Sequence, residues 1–354
     1  MKSPLGHLLL IESPSAAWSP ALERLLARFQ PAGLAFRGLG TLTAAAEVCR
    51  KAASALDAAP FLAVEEDGGG PLGGLLAPGS PAVSLGQLEQ RSAEALGKLV
   101  GAAMELAGLN FDLAPTVDLS PAATQTAERT SRSRLPIPSG QPAEVTCRAE
   151  AFIRGLARHR VLPCVRRFPG LPAALDGLAP VVDRTMIELW RQDLLPYRTL
   201  AAKLPMVEIS HAVYKAYDYE FPRPASLSPS VVEGLLRLKL RYQGVALANA
   251  LLSSRAAGIE VSETAVRALG AGCDLVLVPG DEKSLDAVVT AVERAVDFGQ
   301  LPRERIEQAL GRTRHARRSL ATVRRQPSER DLARLANEFE AFRRRHAAPE
   351  QTLG

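Results

Sequence analysis

Cysteine is scarce in this chain, and aromatic residues are few. The 354 residues include four cysteines and only 5% aromatic residues. The cysteines stand far apart, without a CxxC pair, at Cys49, Cys147, Cys164 and Cys273. This spacing excludes the paired thiolates of a zinc ribbon and gives no sign of a disulfide framework. We therefore predict a reducing, cytoplasmic location, and we expect no metal and no other cofactor.

Long hydrophobic runs and a strong charge of one sign are also absent. A membrane-spanning helix needs about 20 apolar residues, and no run approaches that length. The run His7–Ile11 is too short for the core of a signal peptide and is typical of a first strand. Lys and Arg number 43 against 38 Asp and Glu, a net charge of +5, with much of the excess at 312–325 and 343–345. Such runs are typical of solvated helix faces, so we expect no membrane span and no nucleic-acid partner.

Short apolar runs alternate with longer helical patterns along the whole chain. The eight candidate strands are His7–Ile11, Leu34–Arg37, Phe61–Val64, Phe111–Ala114, Leu162–Phe168, Met206–His211, Gly244–Ala248 and Leu275–Val278. The candidate helices are Pro20–Phe29, Ala44–Leu56, Leu85–Ala107, Pro142–His159, Thr185–Ala202, Pro229–Leu240, Ser262–Leu269, Glu282–Phe298, Pro302–Thr322 and Ser328–His346. Strands that alternate with helices predict parallel βαβ units. Eight such units predict an α/β fold, a (β/α)8 TIM-like barrel with extra C-terminal helices.

The barrel is expected to occupy residues 1–322, with a helical extension over 323–354 packed on it. The polar stretch 120–141 predicts a long loop at the face where the strands end, which is the active-site face of such barrels. We expect the barrel interior to be filled by apolar strand residues, namely Val64, Leu113, Val165, Val207, Val245 and Leu277. The sequence leaves the oligomeric state open.

Seven segments, most of them at the predicted strand ends, occur in the order found in one enzyme family. They are Phe61-Leu-Ala-Val-Glu-Glu-Asp-Gly-Gly, Asn110-Phe-Asp-Leu-Ala-Pro, Ala151-Phe-Ile-Arg-Gly-Leu, Arg166-Arg-Phe-Pro-Gly, Ser210-His211 with Ser226-Leu-Ser-Pro, Gly244-Val-Ala-Leu-Ala-Asn-Ala-Leu and Ala271-Gly-Cys-Asp. The ordered set resembles glycoside hydrolase family 3, in its short single-barrel, β-N-acetylglucosaminidase-like form. The resemblance covers roughly residues 5 to 320. It implies a barrel that acts on N-acetylglucosamine-containing sugars in carbohydrate metabolism.

The catalytic positions of that family are changed here. The resemblance places the nucleophilic Asp of the family at Asn249, and no Asp or Glu lies between Arg241 and Gly258. An amide oxygen is uncharged and is a poor nucleophile, so an asparagine at this position is expected to lower the rate of glycoside hydrolysis by many powers of ten. The acid/base His and its partner Asp align with Leu178 and Asp176, and no His lies between His159 and His211. An imidazole that titrates near neutral pH is therefore missing where this chemistry needs one.

The sugar-binding residues of the family are altered as well. Its Lys-His pair becomes Arg166-Arg167, its hydroxyl-binding Asp becomes Glu65, and His211 is retained. Glu208 stands in an otherwise apolar strand and needs a cation if it is buried, for which Arg166 or Arg167 is the candidate. Two interpretations of the arginines stay open. They form closed ion pairs with Glu65, Glu208 or Asp118 that fill the former sugar pocket, or they bind an anionic ligand.

These observations are compatible with four alternative functions. The first is a degenerate family member, a pseudoenzyme that keeps the barrel and acts as a ligand-binding or scaffold protein, with a sugar or an anionic small molecule as its ligand. The second is an active glycosidase that uses recruited carboxylates such as Glu65 or Glu208, about 5 Å apart for a retaining enzyme and about 6.5–9.5 Å for an inverting one. The third is a different enzyme that uses the arginine pair for an anionic substrate. The fourth, a nucleic-acid module, has only the basic C-terminal helices in its favour.

Overall fold

A computed structural model describes residues 4–78, 83, 85–119, 141–172, 180–320 and 326–346. Eight parallel strands close into a barrel, and a two-stranded sheet lies beside it. The barrel strands are β1 (Leu9–Ser13), β2 (Gly33–Phe36), β3 (Phe61–Val64), β4 (Phe111–Asp112), β5 (Leu162–Phe168), β7 (Met206–Ile209), β9 (Val245–Asn249) and β10 (Leu275–Pro279), and the small sheet pairs β6 (Val181–Val182) with β8 (Val213–Tyr214). All eight barrel strands overlap the predicted ones, and the (β/α)8 prediction is confirmed.

Helices surround the barrel. They are α1 (Pro20–Phe29), α2 (Leu42–Ala55), α3 (Pro71–Leu76), α4 (Gln90–Leu106), α5 (Pro142–Ala157), α6 (Met186–Arg191), α7 (Leu195–Leu200), α8 (Ala250–Ala257), α9 (Val261–Gly270), α10 (Glu282–Asp297), α11 (Arg303–Arg317) and α12 (Glu329–His346), with a π-helix over Ser230–Lys239. The single helix predicted over Thr185–Ala202 is in fact α6 and α7. Pro196 explains the break, because a proline has no N–H for the preceding turn but is tolerated in a first turn.

The strand side chains alternate between the barrel interior and the surrounding helices. Three of the predicted interior residues, Val64, Val165 and Val207, instead pack against the helices. The inward positions belong to their chain neighbours Ala63, Cys164 and Met206, together with Val245 and Leu277 as predicted. The error is one residue in register, and such a shift turns every side chain of a strand to the opposite face.

The amino-terminal end of the barrel is closed by α11. Its Ala316 packs among the inward-facing apolar residues, and the guanidinium carbon of Arg317 lies 5.6 Å from the centre of the Phe61 ring. Burial lowers the pKa of Arg317 to about 10, and Arg317 lies within 3.1 Å of the His7 ring. This end is therefore packed with side chains. The opposite end, where the strands reach their carboxyl termini, is the mouth of the barrel.

The last described helix, α12, packs against α3 and α4 on one side of the barrel. The predicted boundary at residue 322 falls within 321–325, outside the described residues, so the division into 1–322 and 323–354 stays a prediction. The predicted loop over 120–141 lies outside the described residues as well, except for Gln141. In the part of the chain that the structure describes, no helix has both the length and the apolar character needed to cross a bilayer.

Candidate functional site

The mouth of the barrel is lined by charged side chains. Alternation along each strand points Glu65, Arg166, Glu208 and Asn249 inward at the carboxyl end of β3, β5, β7 and β9. In a barrel of this kind, the layer at the carboxyl ends of the strands is where a substrate is bound. Four of the eight site residues predicted from the sequence are therefore brought together in one layer.

Arg166 stands between two carboxylates at this mouth. Its Nη1 contacts the Glu65 carboxylate, and its Nε lies 2.5 Å from Oε2 of Glu208. The Glu208 side chain is only 6% exposed, so its charge is almost fully removed from water. Burial alone would lower the pKa of Arg166, but the attraction of Glu208 and Glu65 outweighs burial, and the pKa lies above its ordinary value. One guanidinium therefore pairs with both carboxylates. The position of Glu208 in an apolar strand predicts such a cation for Glu208.

A β-bulge in β5 separates the two arginines. Val165 is opposite Val207 on β7, but Phe168 is opposite Ile209, so β5 has one extra residue between the two pairs. Arg167 takes a φ of +70°, which is a left-handed conformation uncommon outside glycine. The bulge restores Phe168 to the helix-facing side, where its ring packs edge-on against Tyr197. The two arginines consequently bind different partners.

Arg167 is paired with a carboxylate that lies outside the strands. Its Nε is 2.9 Å from Oδ2 of Asp118, which follows β4 and is fully buried at its side chain. The other Asp118 oxygen, Oδ1, accepts a hydrogen bond of 2.7 Å from the Leu171 backbone N–H. Burial raises the pKa of Asp118 to about 6, although Arg167 and the Leu171 N–H both act to lower it.

The raised pKa of Asp118 makes the stability of the fold depend on pH. The folded protein binds this proton more tightly than the unfolded chain does, whose Asp titrates near 3.8. The free energy of unfolding therefore falls as pH rises from about 4 to 6. We expect Asp118→Asn, which can still accept the Leu171 hydrogen bond, to reduce this fall by about 1–3 kcal/mol. Urea unfolding at several pH values measures it, and equal slopes for both proteins would contradict the assignment.

Asn249 occupies the position where the resemblance places a nucleophile, and its side chain has a structural task. It is the last residue of β9 and the N-cap of α8, because its Oδ1 accepts a 3.2 Å hydrogen bond from the Leu252 N–H. Asparagine is among the preferred N-cap residues for this reason. No carboxylate stands at this strand end, and the amide oxygen is engaged by the backbone of α8.

Three further residues were predicted at the site, namely Asp176, Leu178 and His211. Asp176 and Leu178 lie within 173–179, outside the described residues, so their places at the mouth stay predictions. His211 follows β7 and is half-buried. In the described segments, no group of three or more His, Cys, Asp and Glu side chains is arranged to hold a metal ion.

Glu66 is a buried carboxylate whose role the sequence did not indicate. Its two oxygens accept hydrogen bonds of 2.8–3.2 Å from the N–H groups of Gly68, Gly70, Leu72 and Gly73. A glycine run such as Gly68–Gly70 can form a phosphate cradle or a tight turn. The structure shows a turn whose amides bind the chain's own carboxylate. Arg343 of α12 donates to the Gly68 carbonyl oxygen at 3.0 Å, which ties the C-terminal helix to this turn.

The close packing of this turn predicts different effects for neighbouring glycines. A Cβ on Gly70 would lie 2.4 Å from the Glu65 carbonyl oxygen, whereas a Cβ on Gly74 would meet nothing within 4 Å. We expect Gly70→Ala to lower the free energy of unfolding by about 1–3 kcal/mol because backbone must shift. Gly74→Ala, inside α3, of which Gly70 is the N-cap, should be neutral or stabilising by up to about 1 kcal/mol. Chemical denaturation compares the two, and similar effects would contradict the described turn.

Asp112 is a second buried acid beside the mouth. One oxygen accepts a hydrogen bond of 2.9 Å from the Glu66 N–H, and no residue that the structure describes donates a hydrogen bond to the other. Burial raises the pKa of Asp112 well above its ordinary value, and the nearby carboxylates of Glu66, Asp67 and Glu65 raise it further. Glu66 and Asp112 are therefore buried and hydrogen-bonded to backbone, and they are not exposed as a reactive pair.

At the opposite end of the barrel, Asp274 binds three arginines. Its oxygens contact Arg237, lie 2.5 Å from Arg305 and 3.0 Å from Arg312, and accept a hydrogen bond from the Ala246 N–H. Asp274 is fully buried and precedes β10. Groups at this end of a barrel serve stability. The Asp of the Ala271-Gly-Cys-Asp motif is thus a structural anchor.

Comparison with known proteins gives the family of this barrel. The model of the glycosyl hydrolase family 3 N-terminal domain matches residues 36–316. A β-hexosaminidase of Idiomarina loihiensis is 27% identical over 304 residues, which are 81% of this chain and 87% of that protein. A β-hexosaminidase of Pseudomonas aeruginosa is 30% identical over 244 residues, covering 66% of this chain and 70% of that protein.

Solved structures share the fold. A family 3 β-N-acetylglucosaminidase from Paenibacillus sp. FPU-7 superposes with a TM-score of 0.78 at 24% identity, over 96% of this chain and 68% of that one. A family 3 glycosyl hydrolase from Mycobacterium smegmatis gives 0.75 at 25% identity, over 89% and 96%. This chain spans 42% of a fungal multi-domain family 3 β-N-acetylglucosaminidase, with a TM-score of 0.82 and 20% identity. The chain therefore belongs to glycosyl hydrolase family 3.

Proposed function

We propose that this protein is a pseudoenzyme, a β-hexosaminidase-like barrel that does not hydrolyse glycosides and serves as a binding or scaffold protein. Asn249 carries the proposal. It stands where the family resemblance requires a carboxylate, and its side chain caps α8 instead. A retaining glycosidase needs a carboxylate nucleophile and a second group as acid/base. Neither is supplied by the residues that align with them, since Leu178 stands in place of the acid/base His.

The ion pairs at the mouth support the same proposal. A sugar ring that entered the mouth would compete with Glu65 and Glu208 for Arg166, and separating a buried ion pair costs several kcal/mol. Glu65 and Glu208 are also poorly suited to replace the missing nucleophile and acid/base. Hydrolysis requires one carboxyl to donate a proton while the other is ionised. Here both carboxylates contact the same guanidinium, so neither can reach a substrate unless Arg166 moves.

The test is release of the aryl group from an aryl β-N-acetylglucosaminide. We expect the wild-type protein to release no more than a heat-denatured sample, because loss of the nucleophile alone removes many powers of ten in rate. A characterised β-hexosaminidase in the same buffer serves as the positive control. Release well above the denatured sample would contradict the proposal. If Glu65→Gln or Glu208→Gln then abolished it, the protein would be a glycosidase with recruited carboxylates.

A small anion is the second candidate ligand of the mouth. Glu65 is 29% exposed at its side chain, against 6% for Glu208, so it is the carboxylate that an incoming anion would displace from Arg166. Inorganic phosphate is a suitable probe because guanidinium groups bind phosphate in a bidentate geometry. A rise in melting temperature with phosphate that Arg166→Lys removes would favour this ligand. No rise would favour the closed mouth.

We also propose a cytoplasmic location. Three cysteines, Cys49, Cys164 and Cys273, are unpaired and buried, and the fourth, Cys147, is exposed and unpaired. Unpaired thiols are typical of a reducing compartment. Cell fractionation with an antibody against the protein tests this location. Recovery in the soluble cytoplasmic fraction is expected, and recovery outside the cytoplasm would contradict it.

A further inference from the structure

A cleft of about 520 Å³ lies on the side of the barrel, between α6 and the π-helix Ser230–Lys239. Its walls include Met186, Ile187 and Trp190 from α6 and Leu235 from the π-helix. Met186 and Ile187 are 57% and 64% exposed, which is high for large apolar side chains. Small-molecule sites have about this volume and a mainly apolar and aromatic lining. The cleft shares no lining residue with the mouth of the barrel.

The charges in the cleft are all positive. Arg191 and Lys239 line it, and the Lys239 Nζ lies 5.2 Å from the centre of the Trp190 ring. Arg198 is 4.2 Å from the same ring. None of the described residues that line the cleft is acidic. The nearest acid on α6, Glu188, is engaged by the N–H and hydroxyl of Thr185 in a capping box. The cleft therefore combines an apolar lining with two cations that have no acidic neighbour among its described lining residues.

A glycine keeps the cleft open. Gly234 lines it from the π-helix, and a Cβ at this position would meet only the Pro229 carbonyl oxygen, at 3.8 Å. A side chain placed there would therefore extend into the cleft without displacing backbone. π-helices are rare and frequently occur at functional sites.

We propose that this cleft binds an amphiphile that has an apolar chain and an anionic head group. The apolar chain packs on Met186, Trp190 and Leu235, and the head group pairs with Arg191 and Lys239. A second copy of the protein is a poorer occupant, because a two-fold contact through this cleft would bring its cations against each other. The proposal goes beyond the pseudoenzyme assignment, since it concerns a different face of the barrel.

The test is calorimetric titration with dodecanoate, below its micelle-forming concentration, against dodecyltrimethylammonium of the same chain length. We expect saturable binding of dodecanoate at one site per chain and at least about tenfold weaker binding of the cation. Gly234→Leu should weaken dodecanoate binding at least about tenfold by filling the cleft, and Lys239→Glu should do so by charge reversal. Gly311→Leu is the matched control, because Gly311 lies within α11 and its Cβ would meet nothing within 4 Å. Circular dichroism establishes that each variant is folded.

Tryptophan fluorescence locates the binding. The chain has two tryptophans, so Trp190→Phe should remove the change in emission on dodecanoate addition while Trp18 remains. Equal affinity for the two amphiphiles would overturn the proposal, as would dodecanoate binding that Gly234→Leu leaves unchanged. Absence of dodecanoate binding would overturn it too. A dimer in ligand-free solution that Gly234→Leu dissociates would mean that the cleft is an interface between copies.

Discussion

Replacing Arg166 by methionine should lower the free energy of unfolding by about 3–5 kcal/mol at neutral pH. The methionine retains an apolar side chain but removes the charge that Glu65 and Glu208 share. Glu208 is almost fully buried, so it is left as an uncompensated carboxylate. Urea unfolding of both proteins at neutral pH measures the effect.

Arg37→Met is the matched control for this prediction. Arg37 pairs with Glu12 at 2.6 Å, also at the carboxyl end of the barrel, but its side chain is 67% exposed. We expect this variant to lose less than about 1 kcal/mol, because exposed ion pairs contribute little. The double variant Arg166→Met with Glu208→Gln should recover part of the loss of the single variant. Similar losses for Arg166→Met and Arg37→Met would contradict the buried ion pairs at the mouth.

The second large effect is expected at the opposite end of the barrel. Asp274→Asn should lower the free energy of unfolding by about 3–5 kcal/mol. The variant keeps the shape of the side chain but leaves Arg237, Arg305 and Arg312 without their shared anion. Arg237 and Arg305 are 6% and 10% exposed, so water cannot solvate their charges in the folded state.

Asp286→Asn provides the comparison for Asp274→Asn. Asp286 pairs with Arg28 at 2.6 Å on the surface, where the two side chains are 45% and 51% exposed. Its replacement should change the free energy of unfolding by less than about 1 kcal/mol. Guanidinium chloride would screen the ion pairs, so urea is the appropriate denaturant. A loss at Asp274 no larger than the loss at Asp286 would contradict the anchoring role.

The barrel could be predicted from the sequence because its strands are short, apolar and regularly separated by helices. Phe61–Val64 and Leu162–Phe168 were predicted with the bounds that the structure has. Which strand residues face inward was predicted less well. A strand with apolar residues on both faces has no alternating pattern to reveal its orientation, and Val64, Val165 and Val207 were assigned inward for that reason.

The charged mouth could be predicted only in outline. Glu208 in an apolar strand indicated an ion pair, and the structure supplies Arg166 as its partner. The bulge that gives Arg167 a separate partner could not be predicted, because an extra strand residue leaves no pattern in a single sequence. The same is true of Glu66 and Asp274. The amides that bind Glu66 lie two to seven residues further along the chain, but nearly every residue has such a group, so the sequence does not single them out. The arginines that bind Asp274 are 31 to 38 residues away, and only the fold brings them to it.

The family resemblance made the unusual residues visible. Asparagine is a common N-cap where a helix directly follows a strand. Capping of α8 is therefore enough to explain the geometry of Asn249. It acquires a functional meaning because relatives named β-hexosaminidases share the barrel. The pseudoenzyme proposal therefore depends on a residue that is unremarkable in its own surroundings.

The most direct test of the account is a titration of the purified protein with N-acetylglucosamine and with an aryl β-N-acetylglucosaminide. The heat of binding and the release of the aryl group are followed in the same samples. The account predicts no release above a denatured control, because Asn249 cannot act as a nucleophile. It also predicts no saturable heat of binding, because Arg166 is held by Glu65 and Glu208. Release that continues over many turnovers and is lost on heating would contradict it.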